Sequence, residues 1–348
     1  MRAGLTGREQ TEIVVAAALV GIACALDLAG LNAILRFVAA AAALAMLARL
    51  VGTATEQLGG RLGAGGAGSV QSALGNLPEL FVALFALHKG LVGVVKAALI
   101  GSVLANSLLV LGLAFFAGGL RNGVQRFESP RARTIATLTL LAAAILSVPT
   151  FAHVLHAPAA AHEQTLSLIC GGVLLVVFVS TLGIFLTGDP MAQEPPRWSL
   201  TATITVLAAA AAGAVFVSDW FVSALQPATS SLHMSETFAG LVVVAIAGNA
   251  VENVVGVQLA LRNKADFAIA VIVNSSLQVA LALTPVILFA SLFFAANLTL
   301  VFPTLLAVSL LLAAFVTAVV VYDGESTWPE GVVLVGLYVV IASAFWWG

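Results

Sequence analysis

Charge is what this chain has least of. Only 9% of its 348 residues are Asp, Glu, Lys or Arg, against roughly 25% in a soluble domain. So few charges cannot cover a water-facing surface, which excludes a soluble globular fold and makes lipid the outer solvent. The formal net charge of −2 carries no basic footprint for nucleic acid. Cysteine is nearly absent. Cys24 and Cys170 both lie in apolar runs, so there is no disulfide framework and no thiolate metal site. A His-Glu-x-x-His zinc motif is missing, and no Ser/His pair falls inside a span, which leaves an intramembrane enzyme without support.

What is present is apolar: 61% of the residues are hydrophobic. The apolar runs are about 20 residues long rather than alternating ten-residue strands, the pattern of membrane helices and not of a β-barrel. The reading is an all-α membrane protein with about eleven spans, near 12–29, 32–51, 68–88, 91–117, 132–152, 165–187, 200–222, 236–261, 266–294, 298–321 and 330–347. The basic-then-apolar N-terminus has no clear small-residue cleavage site and is read as a retained first span. Trp198, Trp328, Trp346 and Trp347 fall at span ends, where interfacial anchors belong. The stretch "TEQLGGRLGAGGAG" is read as a loop, and "TGDPMAQEPPRWS" as the midpoint linker, punctuated by Pro190, Pro195 and Pro196.

Basic residues set the expected orientation. Eleven of the 14 fall on one side: Arg2, Arg8, Arg49, Arg61, Arg121, Arg126, Arg131, Arg133, Arg197, Arg262 and Lys264. Arg36, Lys89 and Lys96 fall on the other. The positive-inside rule then puts the N-terminus in the cytoplasm and the C-terminus outside. With span one set aside, two sets of five spans remain. Five is odd, so the second set starts from the opposite face, as in the inverted repeats of many transporters. The expected organisation is an N-terminal extra helix (1–30), a first five-helix repeat (31–188), a linker (189–199) and a second five-helix repeat (200–348).

Two matching motifs test that repeat. "GNLPEL" places Glu79 three residues after Asn76, and "GNAVEN" places Glu252 three residues after Asn249. Ser102 follows Glu79 by 23 residues, and Ser275 follows Glu252 by 23. Gly loosens the backbone and Asn is a favoured N-cap, so each span is expected to break near Gly75-Asn76 and Gly248-Asn249. Pro78 then becomes the second residue of a new helix, where its missing N–H costs nothing. Irregular backbone at membrane depth is tolerated only where it lines a cavity or is buried in protein. A charged residue at the centre of a span costs roughly 2.5–3.5 kcal/mol on insertion scales, so a matched pair of acids points to function rather than capping alone.

The polar groups near the two breaks are Glu79, Glu252, Asn76, Asn249, Ser102, Asn106, Ser275, Ser276 and Gln278, with the carbonyls around Gly75 and Gly248. All offer oxygen, and no Lys, Arg, His or Cys accompanies them. Doubly acidic, oxygen-only sites suit hard cations, Ca²⁺ better than Mg²⁺, with Na⁺ still open. Burial favours the protonated carboxyl and a bound cation favours the ionised one. Proton and metal therefore exclude each other, the minimal logic of antiport, with one Ca²⁺ for two protons electroneutral at the site.

The segments "GTATEQLGGRLGAGGAGSVQSALGNLPELFVALFALHKGLVGVVKAALIGSVLANSLLVLGLAFFAGGLR" and "ETFAGLVVVAIAGNAVENVVGVQLALRNKADFAIAVIVNSSLQVALALTPVILF" resemble the two repeats of the calcium/proton exchanger family of the calcium/cation antiporter superfamily. The resemblance covers most of the chain. It implies eleven spans, an inverted repeat of five, and ion ligation by Glu79 and Glu252, helped by Asn76 and Asn249. Two departures stand out. Leu77-Pro78 in the first motif is more typical of the sodium/calcium exchanger branch, and Asn253 follows Glu252 where the family usually has His. The short linker, with only Asp189 and Glu194, argues against linker-based Ca²⁺ regulation.

The expected function is thus a secondary antiporter exchanging Ca²⁺ for H⁺ by alternating access, with no cofactor beyond its cargo and with the lipid bilayer as its surroundings. A sodium-driven exchanger, or an antiporter for another divalent such as Mn²⁺, is the alternative; a passive channel is a third class. The compact chain fits a bacterial cytoplasmic membrane. Asp219 and Glu56 are candidate entry groups weighed against plain interfacial or solvated acids. His153, His156 and His162 are read as exposed on a short loop, and Asp323, Glu325 and Glu330 as a solvated acidic loop.

Overall fold

Twelve helical segments run through the residues that the computed structural model describes, 4–127, 130–187 and 196–347, with the backbone alone for 62–73, 131, 183–187, 251 and 252. They are α1 (Gly7–Leu28), α2 (Ala33–Leu74), α3 (Leu77–His88), α4 (Val92–Asn122), α5 (Pro130–Val154), α6 (Glu163–Thr187), α7 (Leu200–Leu232), α8 (Glu236–Gly248), α9 (Ala250–Leu261), α10 (Ala265–Ser291), α11 (Thr304–Tyr322) and α12 (Trp328–Ala344). Among the described residues eight helices are long and apolar enough to cross a membrane, or nine if α8 and α9 form one bent span. The chain is an integral membrane protein. The core of the linker, with Asp189 and Glu194, lies outside the described residues.

Local chemistry explains several ends. Thr6 and Glu9 form a capping box at the start of α1, and Thr327 and Glu330 form another at the start of α12. Such caps contribute about 0.5–2 kcal/mol each. Glu330 is therefore a helix cap and not a solvated loop acid. Gly123, with φ 75°, stops α4 in the left-handed region.

Three features depart from the sequence reading. The Gly-rich stretch after Glu56 is not a loop, because α2 runs unbroken for 42 residues through it. Trp198 is not an interfacial anchor: it is buried, its N–H and that of Arg197 donate to Gln57 Oε1, and its carbonyl accepts from Arg61. Residues 298–302 do not begin a helix. They form an irregular segment outside any helix, with Leu298, Leu300 and Phe302 buried, and α11 starts only after Pro303.

The described residues divide into two compact units. One comprises Met1–Phe85, Val179–Glu236 and Ala247–Val251. Here α2 and α7 pack along a seam of alanines, Ala40, Ala43 and Ala54 facing the helix that carries Ala210, Ala214 and Ala224. Small residues let helices approach closely, which replaces the missing hydrophobic drive between membrane helices. Phe37 stacks on Phe221 with ring centroids 4.8 Å apart. At one end Arg49 pairs with Glu12 at 2.8 Å and Arg197 with Glu9 at 3.5 Å.

The other unit comprises Ala86–Phe178, Thr237–Ile246 and Glu252–Gly348. Its centre is α4, against which α8, α10, α11 and α12 pack. A Cβ on Gly101 would meet the backbone of Leu241, and one on Gly240 would lie 2.7 Å from the Val94 carbonyl oxygen, so two glycines set the α4–α8 crossing. Further along, Gly112 abuts Gly331 of α12. Four helices strap the irregular segment 298–302: Ser291 Oγ accepts from Leu298 N, Ser167 Oγ from Leu300 N, and Thr150 Oγ1 from Phe302 N, all at 2.9 Å, while Lys96 Nζ donates to the Val301 carbonyl. The one pair of strands among the described residues is two residues long, Gln125–Arg126 with Glu325–Ser326, antiparallel.

Candidate functional site

The backbone breaks where the two motifs lie. α2 ends at Leu74, Gly75 and Asn76 form a turn, and α3 begins at Leu77 with Pro78 as its second residue. Leu80 N donates to the Asn76 carbonyl at 3.0 Å, so Asn76 flanks the new helix as a cap residue does. In the second motif α8 ends at Gly248, Asn249 turns, and α9 begins at Ala250. The two pieces bend by 61°.

These breaks meet in the first unit. Glu79 is 7% exposed, and its side chain lies against Gly248: a Cβ there would be 2.5 Å from Glu79 Cγ and 3.0 Å from Oε1. The acid of the first motif thus sits on the broken backbone of the second, a contact that only glycine leaves open. Asn76 and Asn249 are buried beside it in sequence, Asn249 fully. A carboxylate, two carboxamides and interrupted backbone supply hard oxygen donors of the kind a divalent cation takes.

The second unit gathers the remaining predicted residues. Ser102, Asn106, Ser275, Ser276 and Gln278 are all buried. Asn106 Nδ2 donates to Ser275 Oγ at 2.9 Å, and Ser107 Oγ lies 3.1 Å from Ser276 Oγ. On α4 both contacts fall in a π-helical stretch at Ala105–Val110, and on α10 they lie just before another at Val279–Leu283. Wider turns of this kind cluster at functional sites because they leave carbonyls to be met by side chains. Thr317 Oγ1 donates to the Ser107 carbonyl at 3.2 Å, and Thr284 Oγ1 to that of Val279 at 2.8 Å.

Sequence reasoning missed Ser107 and Thr317. Ser107 was legible as the neighbour of Asn106; Thr317 gave no signal in its apolar run. Glu252 is the second residue after Ala250 on α9, and its side chain lies outside the described residues. His153 Nδ1 pairs with Glu163, Glu325 with Arg126, and Glu56 is exposed. No group of three or more His, Cys, Asp or Glu suited to a metal occurs among the described residues.

Comparison with known proteins follows the same halves. The family model described as sodium/calcium exchanger protein matches residues 32–187 and 202–347. The chain belongs to that family. The exchanger match leaves α1 outside it and takes in both breaks. Among curated relatives, the Ca²⁺/H⁺ antiporter ChaA of Bacillus subtilis (strain 168) is 34% identical over 315 residues, 86% of this chain and 88% of that one. A Ca²⁺/H⁺ antiporter of Synechocystis is 32% identical over 340 residues, 89% of this chain and 90% of its own. Among solved structures, native YfkE superposes with a TM-score of 0.84 at 31% identity, covering 96% of this chain and 99% of its own.

Proposed function

We propose that this exchanger-family chain is a secondary antiporter that exchanges Ca²⁺ for H⁺ by alternating access. The observation that carries the reading is the placement of Glu79 on the Gly248 break, together with relatives named as Ca²⁺/H⁺ antiporters that align over most of the chain. In this reading Glu79 and Glu252 hold either one Ca²⁺ or two protons. Asn76, Asn249, Ser102, Asn106, Ser275, Ser276, Gln278 and the carbonyls at Gly75 and Gly248 lend oxygen to the ion or order those that do. Competition for the carboxylates couples the two fluxes, because a protonated carboxyl is a poor ligand for Ca²⁺.

The same reading completes the membrane topology. With α2–α3 continuing as a further span, α8–α9 as a bent one and α12 as the last, the eight long spans become eleven. Residues 31–188 and 200–348 are then inverted five-helix repeats joined by the linker 189–199. The basic-rich side, with the N-terminus, faces the cytoplasm and the C-terminus lies outside.

The test is radioactive Ca²⁺ uptake into proteoliposomes under an imposed pH gradient without Na⁺, with Glu79→Gln and Glu252→Gln in parallel. Uptake that requires the gradient and vanishes in both variants is expected. Uptake that appears only with a Na⁺ gradient would make this a sodium-driven exchanger, as Leu77-Pro78 hints. Conductance without any opposing gradient would make it a channel.

A further inference from the structure

A threonine inside a helix ordinarily spends its hydroxyl on its own helix. Thr53, Thr134, Thr137 and Thr139 do so here, each donating Oγ1 to the carbonyl four residues back. Thr150 departs from this pattern to strap the segment 298–302. Thr317 departs from it too. It is 1% exposed on α11, and its Oγ1 donates at 3.2 Å to the Ser107 carbonyl of α4. The neighbouring turns of that buried face hold Ala313, Ala314 and Val321, so nothing beside it on α11 can replace the donor.

The carbonyl it meets lies in the π-helical stretch of α4. There Leu111 N reaches back five residues to the Asn106 carbonyl, and the Ser107 carbonyl is the next along. The π stretch of α10 has its own donor: Thr284 Oγ1 bonds the Val279 carbonyl five residues back. The residue five after Ser107 is Gly112, which has no side chain to do this, and the hydroxyl comes from α11 instead. Ser107 thereby joins three helices. Its carbonyl is held by Thr317, and its Oγ lies 3.1 Å from Ser276 Oγ on α10. Asn106, one residue earlier, donates to Ser275. All five residues are buried within the second unit.

We propose that Thr317 is a positioning residue for cation exchange: its hydroxyl holds the π turn of α4 at Ser107 and so orients Asn106 and Ser107 toward Ser275 and Ser276. The inference rests on the Ca²⁺-exchange reading above, in which Asn106, Ser275 and Ser276 serve the ion. Thr317 acts only through α4. A π turn is an uncommon backbone state that needs partners for its rearranged carbonyls, and removing the one hydroxyl that α11 supplies lets Asn106 and Ser107 move with the turn that carries them.

The test is isothermal titration of Ca²⁺ into purified full-length protein at alkaline pH, with melting curves beside it. Wild type is compared with Thr317→Val, which keeps the shape and loses the hydroxyl, and with Thr317→Ser, which keeps the hydroxyl. Ser276→Ala is measured alone and combined with Thr317→Val. The expected result is affinity weakened by about tenfold in T317V, the low end for a residue that orients ligands without touching the metal, and retained in T317S. The double variant should lose no more than the weaker-binding single one, because both act along one route. A lowered melting temperature with unchanged Ca²⁺ affinity in T317V would overturn the proposal and leave Thr317 a packing residue. Equal loss in T317S and T317V would overturn it, since the hydroxyl would not be what counts. Additive losses in the double variant would overturn the route through Ser107. If T317V does not purify folded, Thr317→Ala replaces it in the same comparison. Absence of Ca²⁺ binding by the wild type would sink the exchange reading itself, a result distinct from the others.

Discussion

Glu79 of the first motif rests on Gly248 of the second, with no room for a methyl group between them. A residue whose identity looks like helix-breaking chemistry is thus also a steric requirement: Gly248 is the floor under the carboxylate. Gly248→Ala must push Glu79 aside or shift α9, at a cost of about 1–3 kcal/mol typical of overpacking. The expected outcome is protein that still purifies monodisperse but takes up Ca²⁺ at least about tenfold more slowly. Wild-type uptake by G248A would show that the carboxylate does not need this position.

Glu79→Gln keeps shape and removes ionisation. Ca²⁺ binding to the wild type should weaken as pH falls, since protons compete for the same carboxylates. In the variant that pH dependence should flatten and Ca²⁺ affinity should drop. Thermal stability should hold or rise, because a buried carboxylate is costlier to house than an amide. Titrations across a pH series, with melting curves beside them, read all three. A variant that keeps the wild-type pH profile would move the competition elsewhere.

The Asn106–Ser275 hydrogen bond joins α4 to α10 inside the second unit. Buried side-chain bonds between membrane helices average about 0.6 kcal/mol and reach about 1.7. A double-mutant cycle with Asn106→Ala and Ser275→Ala should return a coupling in that range from unfolding in mixed micelles. Additive single effects would mean that the bond contributes nothing measurable.

Gly101→Ala should be among the most damaging single methyls in the second unit. Its new Cβ would fall on the Leu241 backbone, and backbone cannot turn away as a side chain can. Low yield and a lowered melting temperature are expected. Gly93→Ala, where a Cβ meets open space, is the control and should behave as wild type.

The strap around 298–302 gives a local prediction. Thr150→Val and Ser167→Ala together leave the Phe302 and Leu300 amides without acceptors. Hydrogen exchange at those two amides should speed up while the α4 core stays protected. Unchanged exchange would show that packing of Leu298, Leu300 and Phe302 alone holds the segment.

The two breaks were legible because they depend on residue types with a local mechanism. Gly, Asn and Pro at 75, 76 and 78 interrupt a helix by their own dihedral and donor chemistry. The same rule misled at the Gly-rich stretch of α2. Glycine costs a helix about 1 kcal/mol in water, but inside a membrane or a protein the amides have no better partner than the helix itself. The segment 298–302 was illegible for a different reason. "LTLVF" is as apolar outside a helix as in one, and three of the four polar groups that decide the matter, on Lys96, Thr150 and Ser167, are far away in sequence; only Ser291 is near. Trp198 was misplaced because an aromatic at a span end reads alike whether it meets headgroups or, as here, Gln57 and Arg61.

The π-helical stretch at Ala105–Val110 also acts as a change of phase along α4. One residue more per turn rotates everything after it by about 100° relative to an uninterrupted α-helix. Before the stretch, Gly101 is turned to Leu241 of α8; after it, Gly112 is turned to Gly331 of α12. A single straight rod thereby serves two different neighbours, with Asn106 and Ser107 at the joint. Removing one residue from the joint would leave the rod helical and apolar, yet would aim its far half at the wrong partner.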